Sequence, residues 1–468
     1  MRRAVKSQPF WNAARRLGVC LAAAGLVVGS DLATTEAQIL RGITGPPIRR
    51  KPAPPSVDLP LGAQTEFPPR PLDADAPAAC SFRFPLCVHA AKTVSDTEVK
   101  TTLGALELAY ERLVGVLHAP APLPDDARGG GPSLDLYLLH DASPLRVEAD
   151  APDVVVSHDA ASAYCVLGAA DPAIDRDATL CLGEAIAWGI DASETPFSRR
   201  ALATYLWLVV GSPTSADVAA YDDYQGAPER STVAREPSRY AEGSAAFLDW
   251  LDRDKGRGDP GALPLATFEL SGRARSPLAE RWVNEPDTLD VLRTTFGATS
   301  TDFARELCRF AVARAFMGTR DAEGTFPDLA FTGDFGRVRF EWSVPFSSLP
   351  RNLAPARPVF PLGATYLWVS MDTPPAKSTL ALSFDWEPPV AFAWAVVLVA
   401  PDGRALRTVD VPFLERGTHV ERTVEDLSGA AGVLIVGTNL GGLGPSYPFD
   451  PDFEPFEPHA YSVYVAKQ

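Results

Sequence analysis

The chain has 468 residues, enough for two domains and a sizeable core. It is 46% hydrophobic and 22% charged, with 9 Trp and 23 Phe, which is the composition of a folded protein and not of a disordered one. A formal charge of −16 argues against a nucleic-acid partner, which needs a basic patch. No helical stretch is both basic and amphipathic, so a membrane-surface helix is not expected either.

Taken in chain order, the N-terminus reads as an export signal. Arg2, Arg3, Lys6, Arg15 and Arg16 form a positive start, "LGVCLAAAGLVVG" is a short apolar core, and "TTEAQ" offers a cleavage site after Ala37. The apolar run is too short to span a bilayer, the alternative reading being an N-terminal membrane anchor, and no later run is long enough for a transmembrane helix. Cys20 sits inside the apolar core and so is a poor lipid acceptor. Cleavage after residue 37 removes five Lys/Arg and two Asp/Glu, leaving a charge of −19. Residues 38–78 are rich in Pro ("GPPIRRKPAPPSVDLPLG", "FPPRPLDADAPAA") and read as a linker or wrapping arm without a core of its own.

Export makes disulfides plausible. "CSFRFPLC" is a short loop whose ends can meet, so Cys80–Cys87 is the first expected pair. Cys165 and Cys181 bracket a polar loop and are the second. Cys308 lies on a helical pattern and reads as a buried free thiol, and the odd count of five in the cleaved chain also permits other pairings.

Residues 79–333 look mostly helical with a small sheet. "TEVKTTLGALELAYERLVGVLHAP" places Leu103, Leu106, Tyr110, Leu113 and Leu117 on one stripe. "GPSLDLYLL" alternates Leu134, Leu136 and Leu138 as a strand does, and "PDVVVSHD" and "SAYCVLG" read as two more. Helical patterns follow over 178–192, 197–211, 240–253, 287–297 and 301–317, the last capped by Thr301 and Asp302 and stopped by Gly318. The texture changes near 334. From there to 468 come eight short strand-like runs, from "GRVRFEWSVPF" to "AYSVYVA", separated by turns such as "PDGR". The expected class is therefore α+β: a helical domain with a small sheet, then an all-β sandwich over 334–468.

A long helix, then "PAPLPDD" with a Gly-rich turn, then a "DLYLL" strand resembles the start of the secreted gluzincin-type zinc metallopeptidases. The resemblance covers about 80–333 and implies a helix bearing His-Glu-x-x-His and a second helix bearing a Glu. At the first motif the chain reads Gly183-Glu184-Ala185-Ile186-Ala187. At the second, "SRYAEGSAAFLDWLD" offers Glu242, 58 positions after Glu184. Carried over residue by residue, Glu184 matches the family's general base and Glu242 its third zinc ligand, while Gly183 and Ala187 stand where the two histidines would be. The histidines are spaced so that both face one side of the helix, and Gly183 and Ala187 have no ligand atoms. A Glu with no metal-bound water to deprotonate is no peptidase base. Zinc is therefore not expected, and no catalytic residue is assigned. The plainer reading of Glu184 is a helix Glu paired with Arg199 or Arg200, and that of Glu242 is an anchor for its helix.

No two of the six histidines lie within five residues of each other, so no other helical zinc pair exists. His140-Asp141 and His158-Asp159 could converge on loops, or be ordinary His-Asp turns. There is no Gly-x-Ser-x-Gly elbow and no phosphate loop. "ARGGGPS" lacks a Lys and opens a strand, which argues against a phosphate cradle.

Two acidic clusters remain. "YDDYQGAPERS" puts Asp222, Asp223 and Glu229 in an expected loop that could bind a cation or a partner, or simply be solvated. "PFDPDFEPFEPHAY" offers Asp450, Asp452, Glu454 and Glu457 as oxygen ligands for calcium, although its phenylalanines could merely pin the loop. Trp368, Trp386 and Trp394 could present a binding face on the sandwich, though alternation makes most of them core. Three readings follow. The first is an exported, non-catalytic metallopeptidase-like protein that binds a protein, peptide or glycan at the cell envelope or outside. The second is a hydrolase using Glu184, Glu242 and Asp222 or Asp223 as paired carboxylates, as glycosidases do. The third is a purely structural envelope protein. A deep cleft with converging carboxylates would favour the second, and a cleft filled by Trp188 or Phe247 the first.

Overall fold

A computed structural model describes residues 69–71, 77–125, 128–140, 144–152, 160–169, 171–232, 239–272, 286–297, 299–318, 338–372, 378–444, 447–448 and 457–468. The export signal 1–37, the arm as far as residue 68, the "VVVSHD" run and the calcium candidates Asp450, Asp452 and Glu454 lie outside the described residues. The architecture is α+β, as the sequence patterns imply.

The Leu134–Leu136–Leu138 alternation becomes β3 (Leu134–Leu139) of a five-stranded sheet. It runs parallel to β2 (Leu86–Ala90) on one side and β5 (Ala161–Gly168) on the other. Two antiparallel strands close the edges: β1 (Ala79–Cys80) on β2 and β4 (Arg146–Pro152) on β5. Parallel neighbours need a crossover, supplied between β2 and β3 by α1 (Asp96–Tyr110) and one wider turn, Glu111–Val116. Ser95 and Glu98 cap α1 reciprocally: the Ser95 hydroxyl accepts from the Glu98 N–H, and the Glu98 carboxylate accepts from the Ser95 N–H at 2.8 Å. Of the expected stripe, Leu106 and Leu113 are fully buried while Leu103, Tyr110 and Leu117 lie at its half-buried margin.

Both expected disulfides are formed. Cys80–Cys87 closes the β1–β2 pair, and Cys165–Cys181 ties β5 to α2 (Ile174–Ile190), while Cys308 is buried and free. Leu86, Val88, Leu136, Leu138 and Leu167 form the sheet face that packs with α1 and α2 in one core. Among the described residues the further α-helices are α3 (Pro196–Val210), α4 (Ser215–Gly226), α5 (Arg239–Gly243), α6 (Ala245–Lys255), α7 (Ala262–Ser271), α8 (Thr288–Phe296) and α9 (Ser300–Ala315). Two corrections follow. The stretch from Tyr221 is helix, not loop, as far as Gly226: α4 buries Asp217, Tyr221, Tyr224 and Gln225, so its inward face is polar and shows no apolar period. The cap of α9 is Thr299, which accepts from the Asp302 N–H, and not Thr301 or Asp302.

Every strand-like run after 334 contributes to a sandwich of two sheets. One has the order β11 (Ala405–Asp410), β10 (Phe392–Val399), β13 (Gly432–Asn439), β8 (Ala364–Ser370), β6 (Trp342–Pro345); the other runs β12 (His419–Val424), β9 (Leu380–Trp386), β16 (Tyr461–Lys467), β7 (Arg351–Leu353). Between β13 and β16 a further short pair forms, β14 (Leu443–Gly444) with β15 (Tyr447–Pro448). β9 alternates buried and outward positions, because one face meets water. β10 and β13 are buried at every position. Their second face packs against α9 through Tyr366, Val397, Leu434, Val436, Ala311 and Ala315. That double burial is why "FAWAVVLV" is a continuous apolar run.

The helical part and the sandwich share this seam. The Tyr366 hydroxyl donates to the Ala311 carbonyl at 2.8 Å. Arg314, 1% exposed, lies 3.5 Å from the Tyr224 ring, donates to the Gln225 amide oxygen at 2.8 Å and to the Tyr224 carbonyl. Trp386 and Trp394 are 5% and 4% exposed in the sandwich core, and Trp368 stacks on Phe340 at 5.8 Å, so these three tryptophans build no external face.

Candidate functional site

The residues flagged by the peptidase resemblance do come together, as an ion network between helices. Glu184 on α2 pairs with Arg200 on α3. Arg200 also reaches Glu242 on α5 at 3.6 Å and donates to the Leu145 carbonyl at 3.3 Å. The second oxygen of Glu242 is 2.5 Å from Arg176 on α2. Arg176 continues to Asp217 at 2.7 Å and Asp177 at 3.1 Å. Asp217 is fully buried and also accepts from Trp207 Nε1 at 3.1 Å and the Thr214 N–H at 2.7 Å. Four helices are thus pinned by alternating charges. The sequence pattern for α2 starts at 178, but the helix starts at Ile174, and this adds Arg176, which the motif reading missed. Its position eight residues before Glu184, two turns along nearly the same face, was the available signal.

Of the two arginines expected beside Glu184, Arg200 is the pair. Arg199 instead lies 3.5 Å over the Trp188 ring and donates to the Ala192 carbonyl at 3.3 Å. Burial pushes the Arg199 guanidinium down to about 10. Burial also raises the Glu184 carboxyl, against the pull of Arg200 and Arg199.

Gly183 has a steric role of its own. A Cβ there would stand 2.9 Å from Ala203 Cα and 3.0 Å from Ala203 Cβ, so α2 and α3 cross backbone to backbone at this point. The space an imidazole would need is filled by α3. Ala187 is fully buried. Among the described residues, no group of three or more His, Cys, Asp or Glu side chains is disposed to hold a metal ion. For paired-carboxylate chemistry, Glu184 and Glu242 would have to face a substrate, and here Arg200 joins them. Phe247, the other residue expected to fill a cleft, is core, 4.9 Å from Phe310.

The acidic candidates are not brought to one point. Asp222 is exposed on α4, Asp223 pairs with Arg239 at 3.0 Å, and Glu229 pairs with Arg339 at 2.5 Å at the seam. Glu229 is a strut there: its carbonyl accepts from the Phe360 N–H at 2.9 Å. Of the calcium candidates only Glu457 is described, and it is exposed. His140 is exposed at the end of β3.

At the start of α2, burial pushes Asp177 up to about 7, helped by a hydrogen bond and like charge from Asp171 and opposed by Arg176. A carboxyl raised on folding favours the native state while it is protonated. Its contribution is therefore present at low pH and is lost as pH rises from about 4 to about 7. We expect Asp177→Asn, which keeps a hydrogen-bonding group without the charge, to gain on the wild type by roughly 1–2 kcal/mol across that window. Denaturant midpoints of both proteins at pH 5.0 and 7.5 check it; a difference that does not grow with pH contradicts it.

No known protein family matches the chain, and no curated protein matches it. Solved structures are similar over about a quarter of the chain. The pre-peptidase C-terminal domain of a collagenase from Bacillus anthracis is 11% identical, with 27% of this chain and 96% of that one covered and a TM-score of 0.17. PliG of Aeromonas hydrophila, a periplasmic inhibitor of g-type lysozyme, is 13% identical over 27% of this chain and 99% of that one, TM-score 0.15. The enzymatically active domain of bacteriophage CBA120 tailspike protein 4 is 11% identical over 26% of this chain and 16% of that one, TM-score 0.17. At such scores these likenesses carry no functional argument.

Proposed function

We propose that this chain is an exported, catalytically silent relative of the gluzincin-type zinc metallopeptidases, and that it works by binding a protein, peptide or glycan at the cell envelope or outside the cell. The observation that carries the reading is the Glu184–Arg200–Glu242 bridge. In the register of the resemblance, the general-base and third-ligand carboxylates are present, and a guanidinium supplies the positive charge between them. A glutamate held in a buried ion pair is neutralised and has no bound water to deprotonate. Gly183 against Ala203 supports the same reading, because an imidazole at that position has no room. Export is supported by the N-terminal signal pattern and by two disulfides, which persist in oxidising compartments. Among the described residues no helix is long and apolar enough to cross a membrane.

Elemental mass spectrometry on protein exported and purified without chelators tests the silent site. We expect no stoichiometric zinc and no hydrolysis of casein. One equivalent of zinc, lost in Glu242→Ala, overturns it. Peptide-library and glycan-array screens of the same preparation test the binding role, which fails if neither gives a saturable ligand.

A further inference from the structure

The outer face of the five-stranded sheet carries a second charged site, unrelated to the peptidase resemblance. Successive strand residues point to opposite faces. While Leu134, Leu136 and Leu138 face the helices, Asp135 and Tyr137 face outward, beside His89 of β2, Tyr164 of β5 and Asp150 of β4. An outward face of a small sheet is ordinarily solvated, yet His89, Asp135, Tyr137 and Tyr164 are each 1% exposed and Asp150 3%. Residues 69–71, the described part of the Pro-rich arm, reach this face. Arg70 inserts its guanidinium among Asp125, Asp135 and Asp150.

The fit is specific to a guanidinium. Nε and Nη2 grip Asp150 in a two-pronged contact at 3.2 and 2.5 Å. Nη1 donates to Asp135 and, at 3.0 Å, to the Tyr137 hydroxyl; Nη2 also donates to Asp125. All five N–H donors therefore have acceptors, which a lysine's three could not match. The Tyr137 and Tyr164 rings flank the group at 5.8 and 5.6 Å. The arm's main chain is held as well, the Tyr164 hydroxyl donating to the Pro69 carbonyl at 3.4 Å. Gly129, with φ of 71°, makes the remaining room: a Cβ there would fall on the Asp135 carboxylate and the Arg70 guanidinium. That gives the Gly-rich "ARGGGPS" stretch a purpose other than phosphate binding.

Two features exceed what an internal anchor requires. Three buried carboxylates converge on Arg70, with the half-exposed Arg128 on Asp150 and His89 Nε2 3.1 Å from Asp135, and burial pushes Asp125 up to about 6. With every Arg70 donor matched, Asp125 Oδ1 and His89 Nδ1, on residues 3% and 1% exposed, find no hydrogen-bond partner among the described residues. Leaving such atoms unpaired costs about 1–3 kcal/mol each, and a ligand bearing a polar group beside its guanidinium would use them.

We propose that this pocket is a receptor for an arginine side chain on an extended, proline-flanked peptide, and that Pro69-Arg70-Pro71 is its tethered occupant, which a partner peptide of the same chemistry displaces. The tether presents Arg70 at an effective concentration in the millimolar range, so the pocket is closed to weak competitors and opens only to a better-fitting segment. The proposal does not depend on the metallopeptidase kinship.

The test uses the full chain and a fluorescent peptide of the arm's own sequence, FPPRPLD (residues 67–73), read by anisotropy. Arg70→Ala should bind it saturably and at least tenfold more tightly than the wild type. Replacing the peptide's Arg by citrulline, or adding Asp135→Asn to the variant, should weaken binding at least tenfold. A folded Arg70→Ala protein that ignores the peptide, or takes the arginine and citrulline forms equally, overturns the proposal. If Arg70→Ala does not fold alone, millimolar peptide should restore a cooperative melting transition; no transition is equally fatal.

Discussion

Replacing Arg200 by Ala costs about 3–5 kcal/mol, the loss expected when one partner of a buried ion pair is deleted. The side chains of Arg200, Glu184 and Glu242 are only 12%, 8% and 14% exposed. Deleting the guanidinium strands Glu184 in the core and leaves Glu242 with Arg176 alone. The Leu145 carbonyl loses its donor as well. Glu184 escapes by taking a proton, since burial already raises its carboxyl. A raised carboxyl penalises the folded state only where it is ionised. The deficit should therefore be largest near pH 8 and shrink as pH falls. Arg200→Lys should recover less than half, because a single ammonium does not reproduce the spread of a planar guanidinium over Glu184, Glu242 and the Leu145 carbonyl. Urea midpoints at pH 5 and 8 for the three proteins decide it. A pH-independent loss under 1 kcal/mol would mean the bridge contributes nothing.

Gly183→Ala is also destabilising, against the helix preference that favours Ala over Gly by about 1 kcal/mol. The added methyl meets the Ala203 backbone, not a flexible side-chain end, so α2 and α3 must separate. Overpacking of that kind costs about 1–3 kcal/mol, and Gly183→His costs more. The double change Gly183→His, Ala187→His, which restores the peptidase motif on paper, should lower the Tm and bind no zinc. A double variant that takes up one equivalent of zinc and melts higher would show that the helices can part. The assignment of Gly183 to close packing would then fall.

These two residues mark how far the chain could be read. Most of the sandwich strands were legible, because β9 alternates where one face meets water and β10 runs apolar where both are covered, but the three-residue β7 (Arg351–Leu353) was too short to show a period. Charge alone pointed Glu184 to a nearby arginine such as Arg199 or Arg200. Choosing between them needed the stacking of Arg199 on Trp188. α4 escaped notice because helix periodicity is read from apolar residues, and this helix buries Asp217, Tyr224 and Gln225 against cations and carbonyls from other helices.

By itself, the sequence determined the α+β class, the C-terminal run of strands and the lack of a histidine pair at helical spacing, and it offered the two disulfide pairs as first choices among several; all of these depend on local spacing or on residue type. Tertiary structure alone decided three things. It put Arg200 between Glu184 and Glu242, pressed Gly183 against Ala203, and seated Arg70 among Asp125, Asp135 and Asp150. Each joins residues from separate elements, 55 to 80 positions apart in the case of Arg70. Complementarity of charge and volume across such separations leaves no period in the chain, because it exists only once the backbone has brought the partners together.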